Sequence, residues 1–121
     1  MYAIDGEKTP CGTMPMYVID GEKILRGTTP TNYFNVDLDL TEAASIYITY
    51  AQNDDVVFEK EKSDITITPE RLSVMLTQED TLKLDEGEVL IQIRARLSDG
   101  TAVASNIVKT TAGRILKDGV V

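Results

Sequence analysis

Carboxylates are the chemistry-bearing residues of this sequence, and they fall in three groups: Asp37 and Asp39, Asp54 and Asp55, and Asp85, Glu86 and Glu88 around Gly87. Two carboxylates facing each other across a cleft hydrolyse glycosidic bonds, and carboxylates at alternate positions supply oxygen ligands to calcium. No cleft-building insertion accompanies these pairs, and no Asp-x-Asp-x-Asp-Gly loop is complete. Solvated strand faces and turns are the expected places for all three groups. The chain has no histidine, which removes the commonest general base and metal ligand. Cys11, the single cysteine, has neither a histidine to activate it nor a partner for an internal disulfide. Glycine-rich phosphate loops are absent. The residues therefore point to a non-enzymatic protein with no catalytic residue, no cofactor and no metal ligand.

The elements that must position these groups belong to one domain. At 121 residues, the chain is long enough to bury roughly two-thirds of its unfolded surface. Hydrophobic residues make up 42% and charged residues 26%, ordinary for a globular domain. The net charge of −8, with acids spread along the chain, argues against nucleic acid, which requires a concentrated basic face. The same charge argues against an anionic membrane. The first thirty residues lack a basic start and a continuous apolar stretch, so no signal peptide is expected.

Residues 1–15 (MYAIDGEKTPCGTMP) recur as 16–30 (MYVIDGEKILRGTTP), with ten of fifteen positions identical. Each copy reads as Met-Tyr-x-Ile, an Asp-Gly turn, and a Gly-Thr-x-Pro exit, the pattern of a small hairpin. The second copy carries Ile24-Leu25 where the first has Thr9-Pro10, and proline cannot donate to a ladder. The expected division is a duplicated hairpin arm over 1–15, peripheral to a single β domain over 16–121. Such an arm adds strands to a neighbouring sheet edge. Tyr2 and Ile4 of the first copy, with Tyr17 and Ile19 of the second, are its candidate contact residues.

The body reads as consecutive strands. Residues 33–40 alternate, with Phe34, Val36, Leu38 and Leu40 on one face. Thr41–Ala44 reads as a short helical turn capped by Asp39 with Glu42 as box partner. Ser45–Gln52 is β-branched and aromatic, a central strand, and Asn53-Asp54-Asp55 turns the chain into the next strand. Residues 64–68 stop at Pro69, and Arg71–Thr77 alternates through Leu72, Val74 and Leu76. Thr77–Asp80 is a second capping signature, for one helical turn carrying Leu82 and Leu84 inward. Residues 88–97 place Val89, Ile91, Ile93, Ala95 and Leu97 on one face and Gln92, Arg94 and Arg96 opposite. An Asp99-Gly100 hairpin turn returns the chain through 101–110. Residues 114–121 suit an edge strand or a tail.

About seven short strands with turns every 8–12 residues predict an all-β, antiparallel Ig-like sandwich with an N-terminal hairpin extension. Arg94 and Arg96 form a small basic stripe on the outer face of the last hairpin, a candidate subunit contact. Tyr33, Tyr47 and Tyr50 fit core or cross-strand packing better than a ligand platform. A carbohydrate-binding module, calcium-assisted through Asp54-Asp55 or Asp85–Glu88, is the alternative.

The segments Arg26-Gly27-Thr28-Thr29-Pro30-Thr31, Thr49-Tyr50-Ala51-Gln52, Leu76-Thr77-Gln78-Glu79-Asp80-Thr81, Gln92-Ile93-Arg94 and Ala104-Ser105-Asn106-Ile107 carry a family likeness. From about Leu25 onward the chain resembles small virion-associated proteins of tailed phages and prophages of Gram-positive gut bacteria. It also resembles the Ig-like N-terminal domain of phage baseplate upper proteins. The resemblance implies a non-enzymatic sandwich whose partners are other phage structural proteins or further copies of itself, in a tail or baseplate. It implies a location in the virion, or in the host bacterial cytoplasm during assembly. It transfers no active-site residue.

Overall fold

The strand periodicities close into two packed sheets. The computed structural model describes residues 13–14, 16–18 and 23–121, the first five by their backbone alone. Eleven strand segments follow in chain order: β1 Thr13–Met14, β2 Met16–Val18, β3 Ile24–Leu25, β4 Thr31–Val36, β5 Ser45–Gln52, β6 Asp55–Glu61, β7 Ile65–Thr68, β8 Arg71–Met75, β9 Gly87–Arg96, β10 Ala102–Ser105 and β11 Val108–Gly113. One short α-helix, α1, spans Gln78–Leu82, and a single 3-10 turn spans Lys62–Asp64.

The larger sheet runs from β6 through β5 to β9, and β9 pairs on its far side with both β10 and β11. Its last column is built from β1, parallel to β10, and β3, parallel to β11. The smaller sheet has the order β2-β4-β8-β7 and is antiparallel throughout. This is an all-β, Ig-like sandwich.

Alternation determines what lies between the sheets. Ile46, Ile48 and Tyr50 of β5 and Val89, Ile91 and Ile93 of β9 point inward, against Phe34 of β4 and Leu72 and Val74 of β8. Each such side chain contributes about 1.5–3 kcal/mol by leaving water. Strand β5 is central, as its β-branched and aromatic sequence predicts. The α1 turn also forms as its sequence requires: Thr77 Oγ1 accepts from the Asp80 N–H, and an Asp80 carboxylate oxygen accepts from the Thr77 N–H. Leu84 beyond it is fully buried, while Leu82 is half-buried.

Several local expectations need correction. Strand β4 ends at Val36, so Asp37 and Asp39 lie in a loop rather than on a strand face. Thr41–Ala44 is a single turn and not a helix: Asp39 Oδ1 accepts from both the N–H and the hydroxyl of Thr41, and the Ala43 N–H donates to the Leu40 carbonyl. Short Asx and ST bonds of this kind compete with helix formation.

The repeated Asp-Gly unit around Asp20 does not bring its flanking strands together. Strand β2, before it, pairs with β4 in the small sheet, while β3, after it, pairs with β11 in the large one. Met-Tyr-x and Ile-Leu go to separate sheets because each finds a longer partner strand there. Thr13 and Met14, the end of the first copy, run beside β10. The other turns also differ in kind. The two-residue hairpin turn with left-handed φ at both positions falls on Asn53 (φ 53°) and Asp54 (φ 69°). At Asp99-Gly100 the loop has three residues: Gly100 N–H donates to the Leu97 carbonyl, Gly100 adopts φ 92°, and the Leu97 N–H closes on the Thr101 carbonyl. That is a type I turn with a left-handed glycine. No strand follows β11, and 114–121 form a tail whose Val121 N–H donates to Gln78 Oε1.

The return strand of that hairpin is also broken. The register against β9 shifts by one residue between β10 and β11. Ser105 bridges the break: its Oγ accepts from the Ile93 N–H and donates to the Asn106 carbonyl, while Gln92 Nε2 donates to the Ser105 carbonyl. Those side-chain bonds stand in for the ladder bonds that a bulge removes.

Candidate functional site

The outer face of the large sheet gathers the side chains that the core leaves over. Strand β9 turns its inward set into the core, which sends Arg94 and Arg96 to the opposite face. Strand β5 turns Tyr47 and Thr49 the same way, and Tyr47 remains 40% exposed. Pairing then sets the rows: Tyr47 stands between Glu61 of β6 and Arg94 of β9, and Thr49 stands between Glu59 and Gln92. On the far side of the arginines, β10 presents only Ala104 opposite Arg94 and Ala102 opposite Arg96. Two long side chains beside two alanines leave a shallow depression of about 380 Å³, lined among others by Tyr47, Thr49, Glu59, Arg94, Arg96 and Ala102.

The electrostatics of this depression are unbalanced. Glu59 accepts a hydrogen bond from the Thr49 hydroxyl at 3.0 Å. Neither arginine has an ion-pair partner among the described residues, where the ion pairs are Arg26–Asp118, Lys60–Asp80 and Lys109–Glu88. Two guanidiniums two residues apart on a strand, with a tyrosine ring beside them, offer forked donors and an amphipathic surface. The chemistry available is recognition of carboxylates or other planar anions rather than bond-making.

Arg94 and Arg96, read from the sequence as a candidate contact, both lie exposed on the outer face of β9. Sequence reading missed their neighbours: Tyr47, Glu59 and Glu61 join the arginines only through the β6–β5–β9 register. The alternation of β5 already carried Tyr47 outward, so that part of the signal was present. Tyr17 lies on β2, with its backbone opposite Asn35 of β4. Tyr2, Ile4 and Ile19 lie outside the described residues, as does Cys11.

The carboxylate groups are placed as solvated turns. Asp54 and Asp55 are exposed at the β5–β6 turn, and Asp85 and Glu86 are exposed before β9. Gln52 ties these two places together: its Nε2 donates to the carbonyls of Asp85 and Glu88, and its Oε1 accepts from the Asp85 N–H. Both acidic loops thus sit at one end of the sandwich. Among the described residues, no three His, Cys, Asp or Glu side chains converge as a metal site. Asp39 and Asp99 are each held below the usual carboxylate range by hydrogen bonds from Thr41 and Thr101 respectively. Of the other tyrosines, Tyr50 is buried, and Tyr33 lies under the Arg71 guanidinium at 5.9 Å.

No family model matches the chain, and no curated protein sequence does. Among solved structures, an engineered protein superposes with a TM-score of 0.52 at 12% identity, covering 85% of this chain and 20% of its own length. The present chain thus spans one fifth of that molecule, and the likeness is one of fold. A fibronectin(III)-like module of Clostridium thermocellum CbhA matches with a TM-score of 0.49 at 16% identity, over 84% of this chain and 99% of the module. The chain is a β-sandwich module. Among its described residues, no helix is long and apolar enough to cross a membrane.

Proposed function

We propose that this chain is a non-enzymatic structural or assembly module that makes protein–protein contacts in a phage tail or baseplate, through the outer face of its larger sheet. The single observation behind this reading is the pair of exposed guanidiniums of Arg94 and Arg96 beside Tyr47, without ion-pair partners among the described residues. Tyrosine and arginine are the side chains that most often carry binding energy at protein interfaces. The resemblance to virion-associated proteins supplies the setting.

The test is incorporation into particles. Full-length chain expressed during phage assembly should co-purify with tails or baseplates, and a variant with Arg94→Glu and Arg96→Glu should be lost from them while remaining folded. Absence of the unaltered chain from particles would sink the proposal.

A second reading, a carbohydrate-binding module assisted by calcium, draws on the Gln52 bonds that bring the Asp54-Asp55 turn and the Asp85–Glu88 loop to one end. It requires a thermal shift with glycans or Ca²⁺ that Asp54→Ala or Asp85→Ala removes. No shift across a broad panel eliminates it.

A further inference from the structure

We propose that the outer face of the β6–β5–β9 layer pairs with the same face of a second copy of this chain, about a two-fold axis running along β5. This deepens the contact-module reading and rests on it, by naming one partner.

The order of charge across the face carries the inference. Glu59 and Glu61 stand on β6, Thr49 and Tyr47 on β5, and Gln92 and Arg94 on β9, in matched rows. An acidic column and a basic column thus flank a neutral one. Adjacent strands lie ~4.8 Å apart, so Glu61 and Arg94 have Tyr47 between them at a backbone separation of about 10 Å. Neither Glu61 nor Arg94 is ion-paired among the described residues.

Turning a copy by 180° about β5 and laying it face to face exchanges the two columns. Glu61 of each copy then lies over Arg94 of the other, and Tyr47 meets its own counterpart on the axis. Arg96, two residues along β9, reaches the same carboxylate diagonally. A two-fold perpendicular to the strands would instead stack acid on acid and base on base. The face is therefore self-complementary in one orientation, as an isologous interface requires. Its central residue is an aromatic ring with charge at the sides, the usual distribution of anchor and rim.

The extent of the face and the net charge determine how strongly it pairs. Eight residues of β5 by the three strand columns that a two-fold along β5 superposes give about 380 Å² per copy, and hence about 760 Å² in total, the extent of a weak, concentration-dependent contact. The net charge of −8 per chain opposes random self-association. Contact is thereby confined to a face where opposite charges meet.

Sedimentation equilibrium on the full chain tests this. As its concentration rises toward millimolar, the unaltered protein should approach twice the 13.3 kDa chain mass. Arg94→Glu and Glu61→Arg should each weaken association about tenfold or more, and the two together should restore it. Far-UV circular dichroism checks that the exposed substitutions leave the sandwich folded. A chain that stays monomeric at millimolar concentration overturns the proposal, as does a dimer indifferent to both reversals or a double variant no tighter than the singles. A monomer that still enters particles refutes only the self-pairing. A charge-dependent dimer absent from particles refutes only the phage assembly role.

Discussion

The Tyr50 hydroxyl donates to Asn32 Oδ1 at 2.8 Å, tying β5 of one sheet to β4 of the other inside the core. Asn32 is 2% exposed and Tyr50 is fully buried, with its ring stacked on Phe58 at 4.5 Å. Burial first, and then the charge of Asp80, push the Tyr50 hydroxyl well above its ordinary value. It therefore remains a protonated donor wherever the fold survives. Tyr50→Phe keeps the packing but strands a buried amide oxygen, at an expected cost of about 1–3 kcal/mol. Urea unfolding measures it. Adding Asn32→Leu to Tyr50→Phe should recover part of the loss, because an apolar pair leaves nothing unsatisfied.

Asp80 couples the α1 cap to β6. Its carboxylate accepts from the Thr77 N–H and forms an ion pair with Lys60, both side chains being largely buried. Burial alone would raise its pKa, but the Lys60 hydrogen bond, the Thr77 bonds and the Lys60 charge together hold it below its ordinary value of 3.8. A depressed carboxylate stabilises the fold fully above its unfolded value, and the contribution fades as pH falls through the folded value. Asp80→Asn should cost about 1–2 kcal/mol at neutral pH, and the gap from the unaltered protein should narrow below about pH 4. Parallel denaturant titrations at neutral and acid pH give the comparison. Asp39 and Asp99 shift in the same direction, so some acid sensitivity persists in the variant.

The β5–β6 turn stores a small strain. Asn53 and Asp54 both hold left-handed φ, which glycine adopts freely and which Asn and Asp bear at lower cost than other L-residues. Asp54→Gly should raise stability by less than about 1 kcal/mol, because relief of the left-handed conformation, at most about 1–2 kcal/mol, is offset by about 0.4–1 kcal/mol of added unfolded-state entropy, and Asp54→Val should lower stability by more than about 1 kcal/mol. Thermal melts of the two variants separate turn strain from any effect of lost charge. Asp54→Asn supplies the charge control.

The period-two patterns of Arg71–Thr77 and 88–97 made their core faces legible, because alternation has a single physical reading when one side must be dry, and Ser45–Gln52 was legible as a central strand from its β-branched and aromatic residues. The Thr77 cap was legible for the same local reason. Pairing was harder to read. The Asp20-Gly21 pattern carries a hairpin signal, yet β2 and β3 join different sheets, a choice made by strands far along the chain. The local sequence of Ser105-Asn106 gives no sign that the return strand slips there and that Ser105 Oγ takes over the Ile93 N–H. Lys60 is written like a surface residue, and only the opposing α1 cap explains its burial. The candidate site shows the same division. Arg94 and Arg96 were visible from β9 alone, whereas Glu59, Glu61 and Tyr47 became their neighbours through long-range register.

The central claim is that the outer face of the larger sheet, rather than its counterpart on the smaller one, makes the protein contacts. A photo-crosslinking residue placed at Tyr47, during assembly in the host cell, reads this directly. Met75, 62% exposed on the opposite outer face, is the matched control. Adducts with a virion structural protein or a second copy of the chain are expected at position 47 and not at 75. Adducts at 75 with none at 47 would contradict the claim.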